Sequence, residues 1–175
     1  MKKILAITAL CLLGIVPGFA EISHAQASAS ATITQSFASE EIVPGDTWKV
    51  YLKASDPGGK MKYIYATVEQ AGGMAYPVSM TRVGFDDRKE LSGYIYLYTE
   101  NAGRSMEYVS LRLSIYLGDG AGNFSQPVVF PLTFSPRAVQ ASPPAGVFKE
   151  KNLGPIMIQL RPVANDGNSA SFTGI

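Results

Sequence analysis

This sequence predicts an all-β fold, a sandwich of seven antiparallel strands, on three observations. Apolar and polar residues alternate with period two in seven separate runs. Clusters of Gly, Pro, Asn and Asp cut the runs apart. No stretch places apolar residues at helical spacing. The length of 175 residues suits one domain with tails.

The chain opens on Met1-Lys2-Lys3, followed by a mostly apolar run from Ile4 to Val16 and then Pro17-Gly18. A basic start and a run too short to span a bilayer are the two parts of a secretory signal peptide. Small residues at Ala25-Gln26-Ala27 place cleavage after Ala27, with Gly18-Phe19-Ala20 as the alternative. Cys11 follows Leu10 inside the apolar run, so it is no lipidation site. Residues 1–27 are thus read as a signal, and the product as exported, periplasmic or extracellular, with no stable membrane insertion.

Removal of the signal takes Lys2, Lys3 and Glu21, leaving 13 basic and 13 acidic side chains of the original 15 and 14. A neutral chain carries no electrostatic case for nucleic acid. Cys11 and His24, the only Cys and His, leave as well. Disulfides, Cys-His catalysis and Ser-His-Asp triads are then excluded by inventory. The fold has to rest on its apolar core.

The predicted strands are 31–37, 47–54, 61–70, 75–83, 92–99, 108–117 and 128–134. In the sixth, Val109, Leu111, Leu113, Ile115 and Leu117 alternate with Ser110, Arg112, Ser114 and Tyr116. In the second, Trp48, Val50, Leu52 and Ala54 alternate with Thr47, Lys49, Tyr51 and Lys53. Each strand has one dry and one wet face, as in two sheets packed over a shared core. Pro44-Gly45-Asp46, Asp56-Pro57-Gly58-Gly59, Gly72-Gly73, Asn101-Ala102-Gly103 and Gly118–Asn123 supply turn chemistry between them.

The run from Gly45 to Gly59 resembles the second strand and following loop of bacterial Ig-like or fibronectin-III-like modules. Asp119-Gly120-Ala121-Gly122-Asn123-Phe124-Ser125 is similar to the loop before their last strand. The resemblance covers residues 31–134 and implies an Ig-like or fibronectin-III-like seven-stranded antiparallel β-sandwich, with extracellular binding or structural roles. It brings no shared catalytic residues, and the Cys pair of antibody domains is absent.

The domain is read as 28–134. Beyond it, 135–175 is a Pro-rich linker with one short strand-like segment and a disordered tail. In that segment Ile156, Ile158 and Leu160 alternate with Met157 and Gln159. Open sandwich edges attract further strands, so this segment is predicted to add to an edge of its own domain, with addition to a partner's edge or a disordered tail that merely contains apolar residues as the alternatives.

Two constellations carry functional expectations. Tyr94, Tyr96 and Tyr98 alternate with Ile95 and Leu97, and Tyr51 with Lys49 and Lys53 stands on a neighbouring strand. Such a row reads first as cross-strand packing, then as a face for an unidentified protein, then as a platform for a glycan. Tyr63 and Tyr65 belong to the outer face of the other sheet. The second constellation is acidic. Loops at one end hold Asp56, Asp86 with Asp87, and Asp119 with Asn123. Asp56, Asp87, Asp119 and Asn123 are oxygen ligands of the kind Ca²⁺ takes, and also ordinary turn residues. Calcium is the only cofactor the sequence raises. The paired carboxylates lack the setting of a glycosidase, and no Lys-Ser/Thr follows Gly118–Gly122 to make a phosphate loop. The expected function is non-catalytic: an exported module for protein binding, adhesion or envelope structure, with carbohydrate-binding and calcium-dependent surface modules as alternatives.

Overall fold

The computed structural model describes residues 31–72 and 74–162; the signal segment and the end of the tail lie outside them. The described residues form ten strands and three short 3₁₀ turns: β1 (Thr32–Ala38), β2 (Glu41–Ile42), β3 (Thr47–Ser55), β4 (Tyr63–Gln70), β5 (Met74–Ala75), β6 (Ser79–Arg82), β7 (Glu90–Tyr98), β8 (Ser110–Gly118), β9 (Val128–Phe134) and β10 (Asn152–Pro155). The smaller sheet runs β1-β3-β7-β10. The larger runs β2-β9-β8-β4-β5, with β6 also paired to β4.

Alternation in sequence becomes alternation in burial. Trp48, Val50, Leu52 and Ala54 of β3 face Leu111, Leu113, Ile115 and Leu117 of β8 across one apolar cluster drawn from both sheets. Trp48 is fully buried, and its indole Nε1 donates to the Ser39 carbonyl at 2.8 Å. Burial of a polar N–H is tolerated because it is satisfied. The fold is therefore all-β with two sheets over a shared core, compatible with a sandwich.

Three differences from the sequence reading have physical causes. The predicted strand 75–83 is split into β5 and β6, because Pro77 lies in its middle and cannot donate to a ladder. The sheets are mixed rather than purely antiparallel: β2 runs parallel to β9, and β10 parallel to β7. Lastly, the additional strand forms at Asn152–Pro155, inside the stretch read as linker, and not at 156–160.

That strand is an edge addition within the same chain. Gly93 of β7 makes room for it. A Cβ there would lie 2.4 Å from the Lys151 carbonyl oxygen and 2.9 Å from Leu153 Cγ. Tyr94 N donates to the Lys151 carbonyl at 2.8 Å, and Ile156 N to that of Tyr96 at 2.7 Å. Ile156 and Leu160 are buried, with Leu153 and Ile158 packed against the same core. The segment also reaches the larger sheet. Thr81 Oγ1 donates to the Pro155 carbonyl at 2.8 Å, and Met157 N to Ser79 Oγ at 2.7 Å. Residues 152–160 thus bridge β7 of one sheet and β6 of the other.

Candidate binding surfaces

The tyrosine row forms where the sequence places it. Tyr51 stands opposite Tyr94, Lys49 opposite Tyr96, and Thr47 opposite Tyr98 in the β3–β7 register. Consecutive rings touch: Tyr51–Tyr94 centroids lie 5.5 Å apart, Tyr94–Tyr96 6.4 Å and Tyr96–Tyr98 4.9 Å. Lys49 Nζ sits 4.4 Å from the Tyr94 centroid, a cation–π contact. Hydrogen bonding with Tyr96 holds the Tyr98 phenol above its ordinary value.

Part of this face, around Tyr51, is occupied by the chain itself. Residues 140–151 run over it as a strap before entering β10. Gln140 brackets β3, accepting from Lys49 N at 3.2 Å and donating to the Thr47 carbonyl at 3.3 Å. Phe148 lies 5.7 Å from the Tyr51 ring, and the Tyr51 hydroxyl donates to Glu150 Oε1 at 2.8 Å. Lys149 N donates to Ser92 Oγ at 3.1 Å. Tyr51 is left only 5% exposed, although its side chain points away from the core. Burial first, and then the Glu150 hydrogen bond, pushes its phenol up to about 12. Of the four tyrosines, Tyr98 alone is a large exposed surface, at 53%. The Tyr51 end of the row is the seat of the strap.

The acidic loops do meet at one end: Asp56 N donates to the Lys89 carbonyl, and Lys62 N to that of Gly118. Their side chains, however, are committed separately. Asp56 is buried and accepts from Gly58 N at 3.0 Å and Lys60 N at 2.8 Å, closing its own turn. Asp87 pairs with Lys151 Nζ at 2.7 Å. Asp119 accepts from Ala121 N at 2.7 Å and from Asn123 Nδ2 at 2.6 Å, and the Asn123 bond with its backbone neighbours holds the carboxyl below its ordinary value. Among the described residues no three His, Cys, Asp or Glu side chains gather as a metal site. Asp119 and Asn123 here are loop formers.

What they form delivers Phe124 onto the outer face of the larger sheet. Ser125 anchors the return: its N donates to the Leu117 carbonyl at 2.8 Å, and its Oγ accepts from Leu117 N at 2.9 Å. Tyr65 and Tyr116, opposite each other on β4 and β8, stack at 5.1 Å with ring planes 4° apart. Phe124 meets both edge-on, at 5.4 and 5.5 Å. Tyr63 touches Tyr65 at 6.0 Å, and Met80 stands opposite Tyr65 on β6. Gly118 is the floor of this cluster. A Cβ there would lie 2.7 Å from Tyr65 Cε2 and 3.0 Å from two Phe124 ring atoms. Phe124 remains 49% exposed and Met80 54%. The result is an apolar patch held rigid by the sheet beneath it.

No family model matches this chain, nor does any curated protein.

Sequence reasoning placed Tyr63 and Tyr65 on this face but missed Phe124, Gly118 and the strap. One of these, the strap, had a legible signal. A lone glycine in a strand pattern marks close approach of another group, and Gly93, inside the predicted strand 92–99, is such a residue. Gly93 points to a neighbouring chain segment, whereas Gly118 reads in sequence as the start of a turn, and only the structure shows rings folded over it.

Proposed function

We propose that this chain is an exported, non-catalytic Ig-like module that binds another protein through the outer face of its larger sheet. The observation that carries this reading is the Tyr65–Tyr116–Phe124 cluster, in which half-buried Tyr65 and Tyr116 hold an exposed Phe124 on a sheet face, preorganised over Gly118. Rigid aromatic side chains supply large contact area at small entropic cost, which is why they anchor interfaces. On the smaller sheet the strap occupies the Tyr51 end of the tyrosine row, through Phe148 and Glu150.

The Ig-like assignment is supported by strand order. β1-β3-β7 and β9-β8-β4 match the A-B-E and G-F-C parts of such a module, with β2 crossing to run beside β9 and β6 paired to β4 rather than beside β7. β10 takes the edge place next to β7 that the fourth strand of constant-type Ig domains holds, but in parallel orientation. Export rests on Lys2, Lys3 and the apolar run after them.

The test compares the exported chain with a Tyr65→Ser/Phe124→Ser variant as bait on cell-envelope extract. A protein held by the first and lost by the second supports the reading, given unchanged Trp48 emission in both. Equal capture by both, or capture of nothing, overturns it. Glycan-array binding that depends on the same two residues would replace protein by sugar as the ligand.

A further inference from the structure

Two cations border the aromatic patch, and among the described residues neither has an acidic partner. Lys62 Nζ lies 5.6 Å from the Tyr63 ring centroid. Arg82 stands opposite Tyr63 in the β4–β6 register and is exposed. Of the other charges on this face, Glu69 and Arg112 are directly opposite each other on β4 and β8, and Glu41 stands beside Thr133 at the far β2 edge. The ion pairs of the described chain lie elsewhere, Lys49 with Glu150 and Lys151 with Asp87. Asp119, in the loop that delivers Phe124, is engaged by Ala121, Asn123 and the field of Lys60.

We infer that this face takes an extended acidic segment of a partner protein. An apolar side chain of that segment sits against Tyr65, Tyr116 and Phe124, and its carboxylates lie beside Lys62 and Arg82. The inference rests on the reading that this face binds protein, and adds the chemistry of the partner. A second copy of the chain fits poorly. A two-fold contact through this face would set Lys62 and Arg82 of each copy within the same small interface as their own counterparts, and like charges there oppose docking. Nucleic acid fits poorly too, since two cations neutralise few phosphates. Because both cations are at the surface, their attraction is screened by salt, whereas the aromatic contact is not.

The exported chain is titrated against fluorescent poly(Glu,Tyr), with poly(Lys,Tyr) as the charge-reversed comparison, and anisotropy is read. Binding of poly(Glu,Tyr) is expected to weaken about tenfold or more between about 50 and about 500 mM salt. A similar loss is expected in a Lys62→Glu/Arg82→Glu variant, whose positions lie outside the core, with Trp48 emission reporting an intact fold. Absence of binding, equal binding of poly(Lys,Tyr), or indifference to salt or to the charge reversal overturns the inference. Envelope capture separates the two levels. If Tyr65→Ser/Phe124→Ser abolishes capture while Lys62→Glu/Arg82→Glu leaves it unchanged, only the acidic partner falls. If neither variant changes capture, the protein-binding reading falls with it.

Discussion

The Tyr51 hydroxyl donates to Glu150 across 99 positions of sequence, joining the centre of the smaller sheet to a strap that follows the last strand of the larger one. The bond explains why an outward-facing tyrosine is buried. It also makes the strap part of the folded unit, because the same short stretch carries the bonds from Lys149 to Ser92 and from Tyr94 to Lys151.

Removing that hydroxyl tests the tie. Tyr51→Phe is expected to cost about 0.5–1.5 kcal/mol near neutral pH, at the low end for a charged acceptor because Glu150 is exposed to solvent. The pH dependence has a definite sign. The folded chain holds this proton above the ordinary phenol value of 10.0, so the Tyr51 contribution is complete below pH 10 and is lost as pH rises toward about 12. Denaturant unfolding between pH 8 and pH 12 should show this extra alkaline loss in the parent and not in Tyr51→Phe.

The strand at 152–155 and its apolar anchors should contribute to global stability. Ile156→Ala and Leu160→Ala remove buried side chains and are each expected to cost about 2–5 kcal/mol. Met157→Ala, at a position 73% exposed, should stay within about 0.5 kcal/mol. Equal melting temperatures for all three variants would refute a structural role for the segment 152–160.

Gly93→Ala probes the same seam from the other side. Its Cβ has no room beside the Lys151 carbonyl, so backbone has to move and the Tyr94-to-Lys151 bond is lost. Amide exchange should rise at Tyr94 and Ile156 while Leu113 and Ile115 of β8 stay protected. Unchanged exchange at Tyr94 would show that β10 tolerates displacement.

Trp48→Ala is expected to cost about 3–5 kcal/mol, enough to unfold a marginal domain. The parent indole, fully buried and bonded to the Ser39 carbonyl, should emit at short wavelength and resist iodide quenching. Ready quenching would invert the assigned face of β3.

Asp119 supplies an acid-side test. Its carboxyl is held below the ordinary 3.8, so the loop it organises is intact above that pH and loosens as pH falls through the lowered value. Amide shifts of Ala121 and Asn123, which both donate to Oδ1, should report a midpoint below 3.8. In Asp119→Ala that titration should vanish. Millimolar Ca²⁺ is expected to leave melting unchanged, because Asp56, Asp87 and Asp119 already spend their oxygens on separate partners.

The sequence by itself determined the fold class and the two faces of each long strand. Period-two alternation places Val50, Leu52, Leu111 and Leu113 inside without knowledge of any partner, because side chains of a strand point alternately to opposite sides. It also placed Tyr51 beside Tyr94, once strand order was assumed. Tertiary structure alone decided what lies over that row, where the tenth strand forms, and which aromatic patch stays open. Asn152-Leu153-Gly154-Pro155 has no strand period and contains three poor strand formers, so no local signal selects it. It becomes a strand because β7 offers unpaired backbone groups, Gly93 leaves the space, and Leu153, Ile156, Ile158 and Leu160 find one core. β2, two residues long, is set in the same way by the edge of β9. A period can be read from neighbours along the chain, whereas an open edge belongs to the assembled sheet.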